Sequence, residues 1–214
     1  MTKPRLLLAD DHTILLEGLK ALLAPEFEVV ATAGDGRAVL KAAEIHQPDL
    51  ILLDISMPGL NGIEAARQLK QSNPSAKLII LTMHADLSFV SAAFEAGASG
   101  YVLKQSAATE LVAALHEVED GRTYISSLIQ QRLGTSTPAF RRKTIKLPAD
   151  LTSRQREVLQ LLAEGRARKE IAQILSVSIK TVEFHKQKIT EKLGLYTDAA
   201  LTAYAIRHGI ASSE

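Results

Sequence analysis

Between residues 1 and 120, short apolar runs alternate with stretches of helical period. The runs fall at residues 5–9, 28–33, 50–54, 77–82 and 100–103. The amphipathic stretches fall at 13–23, 37–46, 62–71, 87–96 and 107–119. Five strand–helix units in succession predict an α/β unit, a doubly wound parallel sheet with helices on both faces. The third run, Leu50-Ile51-Leu52-Leu53, is apolar at consecutive positions. That predicts a central strand buried on both sides. Thr13 and Asn61 are predicted helix N-caps, and Gly97 and Gly121 predicted helix stops.

After Gly121 the strand signal ends. Residues 126–133 predict one short helix, and residues 134–148 are polar, basic and punctuated by Pro138 and Pro148, as a linker is. From Leu151 onward the pattern is helical throughout. A first helix is capped by Thr152 and stops at Gly165; others follow at about 168–175, 179–193 and 197–208. The expected organisation is an α/β domain over residues 1–122, a linker with a short helix over 123–148, and a four-helix domain over 149–214.

Charge sharpens that division. The net charge is only +1, yet residues 1–122 carry 10 basic and 16 acidic side chains while residues 123–214 carry 15 and 8. A basic C-terminal half hints at a polyanionic partner. There is no cysteine, which excludes disulfides, thiolate metal sites and cysteine nucleophiles. The apolar run after Met1 stops at Asp10, too short for a signal-peptide core or a membrane span. The expected location is therefore the cytoplasm, with no membrane partner.

In a doubly wound sheet, the site lies beyond the carboxyl ends of the strands. Those ends carry Asp10-Asp11, Asp54, Thr82 and Lys104. A single Asp at a strand end is usually a turn residue; the combination is what carries weight. Three converging carboxylates repel unless a cation joins them, and an all-oxygen set suits Mg²⁺. A carboxylate beside Mg²⁺ is a nucleophile toward a phosphoryl group. Thr82 is placed to donate to a phosphoryl oxygen and Lys104 to neutralise another.

These residues, with Leu53-Asp54-Ile55-Ser56-Met57-Pro58-Gly59 and Gly100-Tyr101-Val102-Leu103-Lys104, resemble the receiver domain of bacterial two-component response regulators. The resemblance implies a flavodoxin-like sheet of five strands in the order 2-1-3-4-5. It implies that Asp54 accepts a phosphoryl group from a sensor histidine kinase. Asp11, Asp54 and the backbone carbonyl of Ser56 would hold Mg²⁺, with Asp10 assisting through water. Thr82 and Tyr101 would form a switch pair, the hydroxyl moving to the phosphate and the ring following inward. Met83 follows Thr82 where many receivers carry a small residue.

In the C-terminal part, a short helix, the turn Ser176-Val177-Ser178 and a longer basic helix predict a helix-turn-helix, whose second helix enters the major groove of DNA. Helical period puts Val182, Ile189 and Leu193 on a core stripe, with His185 at its edge. Lys180, Glu183, Phe184, Gln187 and Lys188 lie opposite, where lysines reach phosphates and the others reach base edges. Thr181 and Lys186 flank that face. The stretch Leu151-Thr152-Ser153-Arg154-Gln155-Arg156-Glu157-Val158-Leu159, then Lys169-Glu170-Ile171-Ala172, Ser178-Ile179-Lys180-Thr181-Val182-Glu183-Phe184-His185 and Lys192-Leu193-Gly194, resembles the LuxR-type DNA-binding domain.

Together the two resemblances point to the NarL/FixJ-type response regulators. They imply a phosphorylation-controlled transcription regulator, not an enzyme, with a duplex DNA operator, RNA polymerase and a second copy of itself as partners. Two departures are Ala167-Arg168, where small polar residues are usual, and Tyr196-Thr197-Asp198 at the opening of the last helix. Leu201, Tyr204 and Ala205 on that helix are candidates for the dimer contact, or for packing on the third helix. Two other readings stay open on the residues alone: a receiver whose helical domain binds protein instead of DNA, and a Mg²⁺-dependent hydrolase.

Overall fold

Alternation along each strand divides the first domain's core into two. Leu7, Ala9, Ile51, Leu53, Leu78, Ile80, Tyr101 and Leu103 pack with Val39, Ala43, Ala66, Leu69, Val90 and Ala93. Their neighbours Leu6, Leu8, Leu50, Leu52, Ile79, Leu81 and Val102 pack with Leu16, Leu19, Leu23, Leu111, Leu115 and Val118 on the other side. A strand with both faces covered must be apolar at every position.

The computed structural model describes residues 2–133 and 151–211. The chain order is β1 (Arg5–Ala9), α1 (Thr13–Leu23), β2 (Glu28–Ala33), α2 (Gly36–His46), β3 (Leu50–Leu53), α3 (Gly62–Ser72), β4 (Lys77–Thr82), α4 (Leu87–Glu95), β5 (Gly100–Leu103) and α5 (Ala107–Glu119). Then follow β6 (Tyr124–Ile125) and α6 (Ser127–Leu133). All pairings are parallel, in the order β2-β1-β3-β4-β5-β6. Helices α1 and α5 cover one face; α2, α3 and α4 cover the other.

The expected order 2-1-3-4-5 is present, and a sixth strand extends it. Tyr124 and Ile125 pair with Gly100 and Tyr101 of β5, and Ile129 of α6 is fully buried in the core beneath. Tyr124, Ile125 and Ile129 therefore tie this segment to the sheet and its core. The expected linker segment 134–148 lies outside the described residues. One cap differs from expectation: α1 begins at Thr13, its N-cap position is His12, and no side chain caps it. Asn61 does cap α3, accepting from Glu64 N at 2.9 Å. Gly97 and Gly121 take positive φ after α4 and α5.

The C-terminal helices are α7 (Ser153–Ala163), α8 (Arg168–Ile174), α9 (Ile179–Leu193) and α10 (Asp198–Arg207). Thr152 and Gln155 form a reciprocal capping box on α7. Ser176 takes φ 53° in the turn after α8, and Ser178 caps α9 by accepting from Thr181 N at 3.1 Å. Val182 and Ile189 of α9 are fully buried, Leu193 packs at the margin, and Leu201 and Ala205 of α10 complete this core. Leu201 and Ala205 are thus interior residues, and α10 packs chiefly on α7 instead of α9.

Helix α7 also packs against α3. Arg156 Nε donates to Glu64 Oε2 at 2.8 Å and Arg67 to the same oxygen at 3.2 Å. Glu157 takes Arg37 at 2.8 Å and Gln68 at 3.1 Å. Burial pushes the Glu64 carboxyl up. Hydrogen bonds from Ser153 and Arg156 and the charges of Arg156 and Arg67 override it and hold the group below the usual carboxylate range.

Two outcomes follow from this packing. Ile129→Ala should lower unfolding stability by about 2–5 kcal/mol, as buried large-to-small changes do, measured by chemical denaturation; a change below half a unit would mean α6 is not part of the core. The depressed Glu64 pKa stabilises the α3–α7 contact at neutral pH, and that contribution is lost as pH falls below the ordinary glutamate value of 4.5. Arg156→Ala should weaken the contact at neutral pH by about 1–3 kcal/mol, read as expansion in small-angle scattering, with less effect in acid.

Candidate functional site

The strand ladder itself sets the acidic residues side by side. Asp10 N donates to Ala33 O at 3.1 Å and Asp54 N to Ala9 O at 2.9 Å, each extending its strand by one residue. Gly62 packs against the Asp54 carbonyl so closely that a Cβ would stand 1.9 Å from it. Any side chain at position 62 would displace the backbone that aims Asp54.

Asp10 and Asp54 are each only 2% exposed. Lys104, one residue past β5, reaches across β4 so that Nζ lies 2.7 Å from Asp10 Oδ2 and 2.9 Å from Asp54 Oδ2. Burial pushes the Asp54 carboxyl up, and the Lys104 charge and hydrogen bond only partly offset it. Burial alone would lower the Lys104 ammonium, but the hydrogen bond it donates to Asp10 and the charge of Asp54 raise it. Asp11 is exposed beside Asp10. The structure thus brings Asp10, Asp54 and Lys104 together, with Asp11 beside Asp10 at the His12 ring.

Three carboxylates face one ammonium there, a local excess of two negative charges when all are ionised, so the donor set fits a hard divalent cation. His12 reports the same potential. Its Nδ1 lies 3.1 Å from Asp10 Oδ1 and 2.7 Å from Asp11 Oδ1, and the Asp11 charge is the main reason its pKa rises. Asp10, Asp11 and His12 offer ligand atoms within 4.8 Å of one another. Sequence reasoning missed His12; its place directly after the Asp pair was the available signal.

Thr82 is buried at the end of β4, and its Oγ1 accepts from His84 N at 3.3 Å. The Tyr101 ring is fully buried and its hydroxyl donates to His84 O at 2.8 Å. The ring already lies inward, so the expected inward swing does not start from an outward position here. His84 also meets Ser56 Oγ through Nε2 at 3.1 Å and stacks on Phe89 at 4.2 Å. Burial lowers its pKa. Nothing in residue type set His84 apart from an ordinary loop histidine. Met83, by contrast, is 69% exposed and points away from the core.

On α9, Lys180, Glu183, Phe184 and Gln187 are exposed, with Lys188, Thr181 and Lys186 half-exposed beside them. Phe184 shows 55% of its surface, unusual for an aromatic on a solvated helix. Lys188 pairs with Glu191 at 2.7 Å, and Gln187 donates to the same residue at 2.9 Å. Lys186 forms an ion pair with Asp198, so the departure noted at position 198 engages a candidate phosphate contact. Tyr196 beside it is 81% exposed.

Residues 6–116 match the family described as response regulator receiver domain, and residues 149–205 the family of bacterial regulatory proteins, luxR family. The chain is 37% identical to the transcriptional regulatory protein MctR of Rhizobium johnstonii, covering 98% of this chain and 96% of that protein. It is 34% identical to the response regulator UvrY of Escherichia coli, covering 97% and 96%. Among solved structures it resembles RcsB of Salmonella typhimurium, at 30% identity, a TM-score of 0.66 and 97% and 99% coverage. It also resembles RcsB of Salmonella enterica serovar Typhimurium bound to a promoter, at 31% identity, a TM-score of 0.62 and 94% and 98% coverage. No helix among the described residues is long and apolar enough to cross a membrane. With a receiver sheet carrying an acidic hollow and a LuxR-type helical domain on one chain, the protein belongs to the two-component response regulators, a family of DNA-binding transcription regulators and not of enzymes.

Proposed function

We propose that Asp54 is the phosphoacceptor and that its phosphorylation controls operator binding through α9. The observation that carries this reading is Lys104, whose ammonium joins the buried carboxylates of Asp10 and Asp54. An Asp54 oxygen attacks phosphorus, the P–N bond to the kinase's phosphohistidine breaks, and the imidazole leaves with its electron pair and takes up a proton. Asp10, Asp11, Asp54 and the Ser56 carbonyl would hold Mg²⁺, which when bound neutralises phosphoryl oxygens. Lys104 neutralises a further oxygen, and Thr82 turns its hydroxyl toward the new group. Burial around Asp54 excludes bulk water from the carboxylate, so these charges act at short range and low screening.

Phosphorylation replaces the single negative charge of the Asp54 carboxylate with roughly −1.5 to −2 charges on the phosphoryl group. Thr82 and Tyr101, both hydrogen-bonded to His84, are the groups that respond. On α9, Lys180, Lys186 and Lys188 with Thr181 contact DNA phosphates, and Glu183, Phe184 and Gln187 read base edges. Lys186 must exchange Asp198 for phosphate to do so. The structure of two RcsB dimers bound to two parallel DNAs supports a homodimer on two half-sites. A sensor histidine kinase, an operator in duplex DNA, RNA polymerase and a cytoplasmic location complete the reading.

With acetyl phosphate and Mg²⁺, the wild-type chain should gain one phosphoryl group by intact mass and Asp54→Asn none. Equal gain by both would place the acceptor elsewhere. Operator binding should weaken linearly in log Kd against log salt, and Lys180→Ala and Lys188→Ala should each reduce the slope by about 1. A slope unchanged in both variants would remove α9 from the phosphate backbone.

A further inference from the structure

Two acidic side chains stand among the groups of α9 assigned to DNA, and two of the three phosphate-facing lysines are bound to them. Glu191 lies three residues after Lys188 and four after Gln187, so helical period sets it on the same exposed stripe. Its carboxylate engages both neighbours. Oε2 accepts from Lys188 Nζ at 2.7 Å and Oε1 from Gln187 Nε2 at 2.9 Å. Those bonds, that of Lys188 foremost, hold the Glu191 carboxyl below the usual carboxylate range. On the flank of the same helix, Asp198 of α10 forms an ion pair with Lys186. Lys180 alone of the three lysines has no carboxylate partner among the described residues.

Helix stability does not account for Glu191. It stands in the last turn of α9, which ends at Leu193, and there the helix dipole disfavours an anion. The pair with Lys188 also runs from lysine to carboxylate along the chain, the less favourable order. Asp198 does suit the dipole, being in the first turn of α10, but that gain does not require its contact with Lys186. What the two acids share is the chemistry of a DNA phosphate: a negative group whose oxygens accept from these same donors. To reach the duplex, Lys186 and Lys188 must leave their carboxylates. Each freed carboxylate then faces the negative charge of the DNA backbone. Gln187 must likewise release Glu191 before it meets a base edge.

We propose that Glu191 and Asp198 are specificity-determining residues that limit affinity, internal counter-ions competing with DNA phosphate for Lys188 and Lys186. The inference rests on α9 as the helix that meets DNA. On random sequence, lysine–phosphate contact supplies essentially all of the binding, so the competition acts on the whole of it. An operator adds base contacts from Glu183 and Phe184, which neither acid holds. The two carboxylates thereby keep α9 off non-operator DNA.

The test uses the full, unphosphorylated chain and a fluorescent duplex of random sequence, with anisotropy as the readout. Asp198→Asn and Glu191→Gln should each bind about two- to fivefold more tightly, the scale of an exposed ion pair. Loss of any acid from a basic domain strengthens binding through the general field, so a double-mutant cycle isolates the specific competition. Lys186→Ala should weaken binding about two- to fivefold more in the Asp198→Asn background than in the wild type. Lys188→Ala should do the same in the Glu191→Gln background. Lys180→Ala, which removes a lysine without an acidic partner, should weaken binding equally in every background. Glu191→Gln removes a charge that opposes the dipole, so α9 keeps its fold, which far-ultraviolet circular dichroism checks. Binding that is unchanged or weaker in the Asn or Gln variant overturns the proposal for that acid. So does a lysine substitution whose effect is the same in both backgrounds. Absence of salt-dependent binding in the wild type and all variants would instead overturn the assignment of α9 to DNA.

Discussion

Two carboxylates buried side by side are held by a single ammonium, and the remainder of the molecule is arranged around that fact. Unscreened, Asp10 and Asp54 would repel strongly. Lys104 reaches both at hydrogen-bond distance. It does so because β5 lies two strands from β3 in the sheet order, a gap the long side chain spans. Strand order therefore decides the chemistry. A different winding of the same helices and strands would leave three unrelated charged loops. The excess of negative charge left after pairing suits the hollow to a divalent cation and a phosphoryl group.

Much of this was legible in the sequence. Consecutive apolar residues at 50–53 betray a strand covered on both faces, and the rule that sites lie at strand carboxyl ends selects Asp10, Asp11, Asp54, Thr82 and Lys104. Helical period likewise sorted α9, with Val182 and Ile189 inside and Lys180, Glu183 and Phe184 outside. What escaped was decided by tertiary contact. Strand β6 has two residues, too few for any period to register, and it exists because β5 offers an open edge and Ile129 a buried anchor. Thr13 looked like a cap, but the helix starts on it and His12 takes the cap position. His84 acquires its role from three neighbours distant in sequence.

The same limit applies to α7. Gln160 and Glu164 lie on the polar side of α7, a side that a surface helix ordinarily leaves to solvent. In the folded chain that stripe meets the receiver, and Gln160 is buried with both amide atoms bonded. The charge asymmetry between the halves is not what joins them. The ion pairs run both ways, Arg156 to Glu64 and Arg37 to Glu157, so neither domain acts as a uniform counter-ion. The lysines of α9 keep their outward positions, and the basic surface stays available to a polyanion while the domains touch.

The most direct measurement is a crystal structure of the full chain grown with Mg²⁺ and beryllofluoride, which mimics a phosphoryl group on a carboxylate. The expected result is trifluoroberyllate on an Asp54 oxygen, with Lys104 Nζ and Thr82 Oγ1 turned to its fluorines. Density on Asp11 or elsewhere, with Asp54 still bound to Lys104 as a free carboxylate, would contradict the assignment from which all else follows.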